Sequence, residues 1–146
     1  MNKISFMLDY FFDNIEERLK ELNGIKSVEI NNEDLELLVE YNDDITLDTL
    51  FDEIYNNITF IKGFKKNVDE ECIDYKLLVD DLCCEYCYMN ALIDLINNDA
   101  IVSISCDFGY DEKDGYDTFF NANVVVKIIK SKYTIELEEE IKKAFE

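Results

Sequence analysis

Leu77-Leu78-Val79-Asp80-Asp81-Leu82-Cys83-Cys84-Glu85-Tyr86-Cys87 is the stretch on which the fold turns. The apolar run Leu77 to Val79 has the length of a buried strand. From Met89 to Ile96 the apolar residues fall at helical spacing. Three cysteines therefore stand where a strand hands over to a helix. Further on, Val102 to Cys106 and Asn123 to Ile129 read as strands. Ile135 to Phe145 reads as a helix with Thr134 as its cap, and the cysteine stretch opens a helix from about Cys84 to Asn97. Asp107 to Thr118 reads as a long loop between the middle strands, with a hairpin turn at Asp114-Gly115.

The first half has the same order. Lys3 to Leu8 is a short strand. Phe12, Ile15, Leu19 and Leu22 line one face of a helix from Asp9 to Leu22, and Asn23-Gly24 stops it. Ser27 to Ile30 and Leu35 to Tyr41 are strands. Thr46 caps a helix that buries Leu47, Leu50, Phe51 and Ile54, and Thr59 to Phe64 is a last strand. A shift of 76 residues lays Gly24-Ile25-Lys26-Ser27-Val28 on Ala100-Ile101-Val102-Ser103-Ile104, Ile15 on Ala91, and Leu19 on Leu95. The expected fold is α+β: two tandem ferredoxin-like βαββαβ units, residues 1–68 and 72–146, joined by Asn67 to Glu71. The second unit ends after its second helix, so it lacks its last strand. Its first strand is then an open edge that another segment or a second copy of the chain would fill.

The charge balance narrows the function. Of 146 residues 34 are acidic and 14 basic, a net charge of −20, and each half up to and after Glu70 carries 17 acidic and 7 basic residues. Such a surface repels phosphate, which argues against nucleic acid and anionic membranes and favours cations and basic proteins. A solvated, soluble face explains the same charge without any partner. No targeting segment and no apolar run of membrane-spanning length is expected. Five cysteines, an odd number with three between 83 and 87, do not form a secreted disulfide framework, so a cytoplasmic location is expected.

The second unit resembles the heavy-metal-associated domain family, the module of copper chaperones and of the N-terminal tails of metal-pumping ATPases. That family carries Gly-Met-x-Cys-x-x-Cys between its first strand and first helix, and Asp81-Leu82-Cys83-Cys84-Glu85-Tyr86-Cys87 stands there here. In the first unit Leu22 to Val28 and Asp44 to Leu50 resemble the consensus, but Leu8 and Phe11 occupy the cysteine places. The resemblance implies a metal ion held by Cys84 and Cys87, and a degenerate first copy without cysteines. Cys83 is a third sulfur, either a further ligand or a bystander.

Two sulfurs in the first turn of a helix can meet at one point, where the helix start favours thiolate. Such a pair suits Cu(I), which accepts few ligands. Asp81 and Glu85 add hard oxygens and like charge, which opposes thiolate and moves preference toward Zn(II) or Cd(II). The chain has no histidine to complete a zinc site. The bland reading is that the cysteines only pack the turn, as buried cysteines do. A thioredoxin-like dithiol would need the cis-proline of that family, and this chain has no proline. Asp111 to Asp117 lacks the alternation and closing Glu of a calcium loop. Cys106 matches Ile30 and reads as core, whereas Cys72 is open to either role.

The expected function is therefore a binding protein and no enzyme. It would take up a soft cation, Cu(I) or Zn(II)/Cd(II), for storage or delivery. A metal-transporting ATPase domain with a basic surface is the kind of partner implied. The alternative is a metal-free interaction or scaffold module that kept the fold and dimerises through its open edge.

Overall fold

The structure is a computed structural model that describes residues 2–9, 14–56, 60–80, 85–113 and 116–146, with side chains described except at 80, 85–86, 108–113 and 116–122. It is α+β, with antiparallel strands and four α-helices among these residues. The chain divides into two compact units, residues 1–68 and 69–146.

The first unit runs β1 (Asn2–Leu8), α1 (Ile15–Lys20), β2 (Ile25–Asn31), β3 (Glu36–Tyr41), α2 (Leu47–Tyr55) and β4 (Ile61–Lys66). Its strands lie in the order β2-β3-β1-β4, each antiparallel to its neighbour. This is the order that two split βαβ crossovers produce. Alternation gives the sheet one buried face. Ile4 and Phe6 of β1 stand opposite Val39 and Leu37 of β3, and Phe6 stands opposite Phe64 of β4. All five are buried. Phe6 meets Phe51 of α2 edge to face at 6.4 Å, which ties that helix to the sheet. From α1, Ile15 and Leu19 are buried as their spacing requires. Phe12, the earlier member of that stripe, and Thr59, the expected start of β4, lie outside the described residues.

The second unit runs β5 (Cys72–Asp80), α3 (Glu85–Leu95), β6 (Ile101–Lys113), β7 (Tyr116–Ile129), a 3-10 turn at Lys130–Lys132, and α4 (Ile135–Ala144). Within it the order is β6-β7-β5, again antiparallel. Ile104, Val124, Val126 and Ile128 are buried. So are Tyr88, Met89, Ala91, Leu92 and Leu95 of α3, and Leu137 and Ile141 of α4. Tyr88 packs on Phe145, just past α4, with ring centroids 6.2 Å apart.

The expected loop from Asp107 to Thr118 is corrected by the structure. Its backbone forms strand, with Asp107 opposite Asn123, Tyr110 opposite Phe119 and Lys113 opposite Tyr116. A ladder of main-chain hydrogen bonds does not need an apolar face, and polar residues concealed it in the sequence. The turn expected at Asp114-Gly115 lies outside the described residues.

The same turn recurs 76 residues apart. The amides of Leu22 and Ile25 donate to the carbonyls of Leu19 and Leu22, and those of Asn98 and Ile101 donate to Leu95 and Asn98. Each turn leads into a strand with a register shift, between Ile25 and Ser27 and between Ile101 and Ser103. The two turns differ in backbone. Gly24 has φ of 97°, and a Cβ there would lie 2.9 Å from the Ile45 amide nitrogen. Ala100 is not among the residues with positive φ. Gly24→Ala therefore meets both the left-handed penalty, about 1–2 kcal/mol, and a backbone contact that cannot give. Urea unfolding should show a loss of at least that size.

The two expected caps behave differently. Thr134 Oγ1 accepts from the Leu137 amide at 3.1 Å and caps α4. Thr46 precedes α2 with extended backbone but makes no such bond. The Thr49 amide it would accept donates instead to Asp48 Oδ1 at 3.0 Å, and Thr46 Oγ1 lies 2.8 Å from Thr49 Oγ1. Thr134→Ala should cost about 1 kcal/mol and Thr46→Ala less than about half of that, compared by thermal or urea unfolding.

Candidate functional site

The cysteine stretch spans the junction of β5 and α3. β5 ends at Asp80 and α3 begins at Glu85. Asp81, Leu82, Cys83 and Cys84 lie outside the described residues, and of Glu85 and Tyr86 only the backbone is described. Cys87 is the third residue of α3, in its first turn, with a half-buried thiol that forms no disulfide. It immediately precedes the fully buried Tyr88. The backbone thus brings the second cysteine of the pair to a helix start directly after a strand. The phase of α3 is set by Tyr88, Met89, Ala91 and Leu92, which bury against the unit and leave Cys87 at the margin of the core.

In the first unit the place of Cys84 is taken by Leu8, which is buried at the end of β1. Phe11, at the place of Cys87, lies outside the described residues. Among the described residues no group of three or more Cys, Asp or Glu side chains is placed to hold a metal ion.

The other two described cysteines have separate settings. Cys72, the first residue of β5, is half-buried and donates its S–H to the Glu70 carbonyl at 3.2 Å. Cys106 stands opposite Val124 in β6 and is half-buried. Burial, and then the neighbouring Asp107 carboxylate, push its thiol up to about 12. It is therefore a protonated thiol at neutral pH, and not a ready nucleophile or ligand. Burial likewise raises the Tyr88 phenol well above its ordinary range, with a smaller contribution from Cys106.

Tyr88 was not singled out by sequence reasoning. Its signal was present: it lies three and four residues before Ala91 and Leu92 on the buried stripe of α3. A hollow of about 650 Å³ crosses the three strands of this unit between Lys76, Leu78, Ser105, Asp107, Asn123 and Val125. It gathers no nucleophile–base pair, so it does not form a reaction centre by its residues.

The raised pKa values give a pH dependence. A thiol held at about 12 in the folded chain and 9.0 otherwise keeps its proton longer when folded. Its contribution to stability is full below pH 9 and falls as pH rises toward 12. Tyr88 acts in the same direction at high pH. Cys106→Ala should flatten the fall in melting temperature between pH 9 and 12, and alkylation at pH 8 should label Cys72 well before Cys106.

No helix among the described residues is long and apolar enough to cross a membrane. No family model matches the sequence, and no curated protein matches it. Among solved structures, the chain is similar to the solution structure of the N-terminal soluble domains of Bacillus subtilis CopA. The TM-score is 0.39 at 14% identity, over 97% of this chain and 87% of that one.

Proposed function

We propose that this chain binds a soft metal cation between Cys84 and Cys87, with Cys83 as a third sulfur at hand, and releases it by ligand exchange. One observation carries the reading: Cys87 is a reduced, half-buried thiol in the first turn of α3, directly after β5. At that place the exposed amides and partial positive charge of the helix start favour thiolate. Two thiolates suit Cu(I), and the carboxylates of Asp81 and Glu85 in the same stretch bring Zn(II) and Cd(II) within its range. The ion is cargo, so no bond of a substrate is made or broken. The acidic surface steers the chain to a basic partner, such as a metal-transporting ATPase domain, and away from nucleic acid and anionic membranes. This is work for the cytoplasm, where thiols stay reduced.

The recurrence of one turn at an interval of 76 residues supports reading the halves as two copies of one ferredoxin-like unit. The first copy, with buried Leu8 where Cys84 would be, then serves structure or docking. A second functional reading, an interaction module that keeps the fold without the ion, is favoured by the one-sided pairing of β5 within its unit.

Titration of the reduced protein with Cu(I) and with Zn(II) against a competing chelator separates the two. Metal binding predicts affinity tighter than micromolar. It also predicts a loss on Cys84→Ser or Cys87→Ser greater than the roughly 10- to 100-fold that removing an outer-shell group costs. Cys106→Ser should leave the affinity unchanged. Micromolar or weaker binding that ignores both substitutions sinks the metal reading.

A further inference from the structure

β5 is a nine-residue strand that pairs with β7 through nine consecutive residues without a register shift. Within its unit no strand lies on its other side. The phase of the ladder is fixed at its start, where the Lys130 amide donates to the Glu71 carbonyl at 2.9 Å. In an antiparallel pair such bonded positions alternate, so Ile73, Tyr75 and Leu77 turn their amides and carbonyls toward β7. Cys72, Asp74, Lys76 and Leu78 turn theirs the other way. That is a row of donors and acceptors ready for a further strand. Proteins usually blunt such a strand with a bulge, a proline or a short length. β6, at the other end of this unit's strand order, is bulged at Ile101/Ser103 and again at Gly109/Tyr110. β5 has no bulge, and the chain contains no proline.

We propose that β5 pairs antiparallel with β5 of a second copy of this chain, about a two-fold axis at Tyr75. Charge selects both the occupant and the register. A two-fold axis normal to the sheet keeps each residue opposite one on the same face. Three centres leave at least seven residues of each β5 in register: Tyr75, Lys76 and Leu77. Centring on Lys76 sets Lys76 against itself. Centring on Leu77 sets Asp74 against Asp80. Centring on Tyr75 sets Asp74 opposite Lys76 of the second copy, twice, at the 4.5–5.5 Å that separates opposed Cβ atoms, about the distance at which opposite charges stabilise a sheet. The same register sets Ile73 opposite Leu77, and Cys72 opposite Leu78. Leu78 is 57% exposed in the single chain, and Ile73, Tyr75 and Leu77 are half-buried there, so the pairing covers apolar surface on both faces. The outward amides and carbonyls of Cys72, Asp74, Lys76 and Leu78 meet their counterparts in bonded pairs. The net charge of −20 opposes self-association, and the two local ion pairs offset that at the seam.

The pairing needs no metal, so it is tested with reductant and chelator present. Sedimentation equilibrium should give a two-chain mass for the wild type. Asp74→Lys alone and Lys76→Asp alone, at exposed positions, each replace two attractions with two repulsions and should weaken association by about tenfold or more. Mixed in equal amounts, the two variants should restore it as a heterodimer, because each supplies the charge the other lost. Circular dichroism of each variant reports its folding. Hydrogen exchange of the wild type, which needs no variant, should show protection of the Cys72, Asp74, Lys76 and Leu78 amides that rises with protein concentration. The proposal is overturned by a single-chain mass throughout, by a dimer indifferent to both substitutions, or by protection that rises elsewhere and not along β5. The metal titration and this experiment can fail independently of each other.

Discussion

Nine cross-strand pairs join β5 to β7, from Cys72 opposite Ile129 to Asp80 opposite Asn121. The second unit depends on that unbroken register. A strand has a period of two, so one register decides which side chains face the helices and which do not. Val126 sits between Tyr75 and Ile104, and Val124 between Leu77 and Cys106, which makes a continuous apolar surface for α3 and α4. A slip of one residue in β5 would carry Asp74 and Lys76 to that side and Tyr75 and Leu77 away from it. The same register sets where β5 stops, and so how the chain enters α3 with Cys87 in its first turn.

The helices hold to the sheets through a few large side chains. Phe6 against Phe51 does this in the first unit. Tyr88 against Phe145 joins α3 to the end of α4 in the second. Burial of such a ring stabilises by roughly 1.5–3 kcal/mol, several times what an exposed ion pair contributes. The ion pairs recorded among the described residues, such as Lys20 with Glu16 at 3.9 Å and Lys130 with Glu71 at 3.4 Å, are on the surface. The acidic charge therefore shapes what the chain meets in solution more than what holds it folded.

The cysteines show how setting divides one residue type into different chemistries. Cys106, half-buried beside Asp107, holds its proton to about pH 12. Cys72 gives its S–H to a backbone carbonyl at the start of an edge strand. Cys87 stands in the first turn of a helix, where a backbone charge of opposite sign is at hand. Only the last has surroundings that favour a thiolate, and it belongs to the Cys-x-x-Cys spacing.

By itself the sequence determined what is written locally. The helical spacing of Ile15 and Leu19, and of Leu50, Phe51 and Ile54, named buried faces that the structure keeps. Gly24 marked a left-handed turn because few other residues adopt one, and Thr134 marked a helix start because its oxygen reaches an amide three residues on. It also named the cysteine pair, for spacing is a sequence property, and the structure places Cys87 on α3. Other features needed the tertiary structure. Strand lengths did, since the ladder from Asp107 to Lys113 is set by a partner strand and not by an apolar pattern. The failed cap at Thr46 depended on Asp48 taking the Thr49 amide first. Cys106 became a held thiol, and β5 a strand with one bonded side, only once distant segments met. Period and propensity act between near neighbours, whereas register, burial and pKa are fixed by residues far apart in the chain.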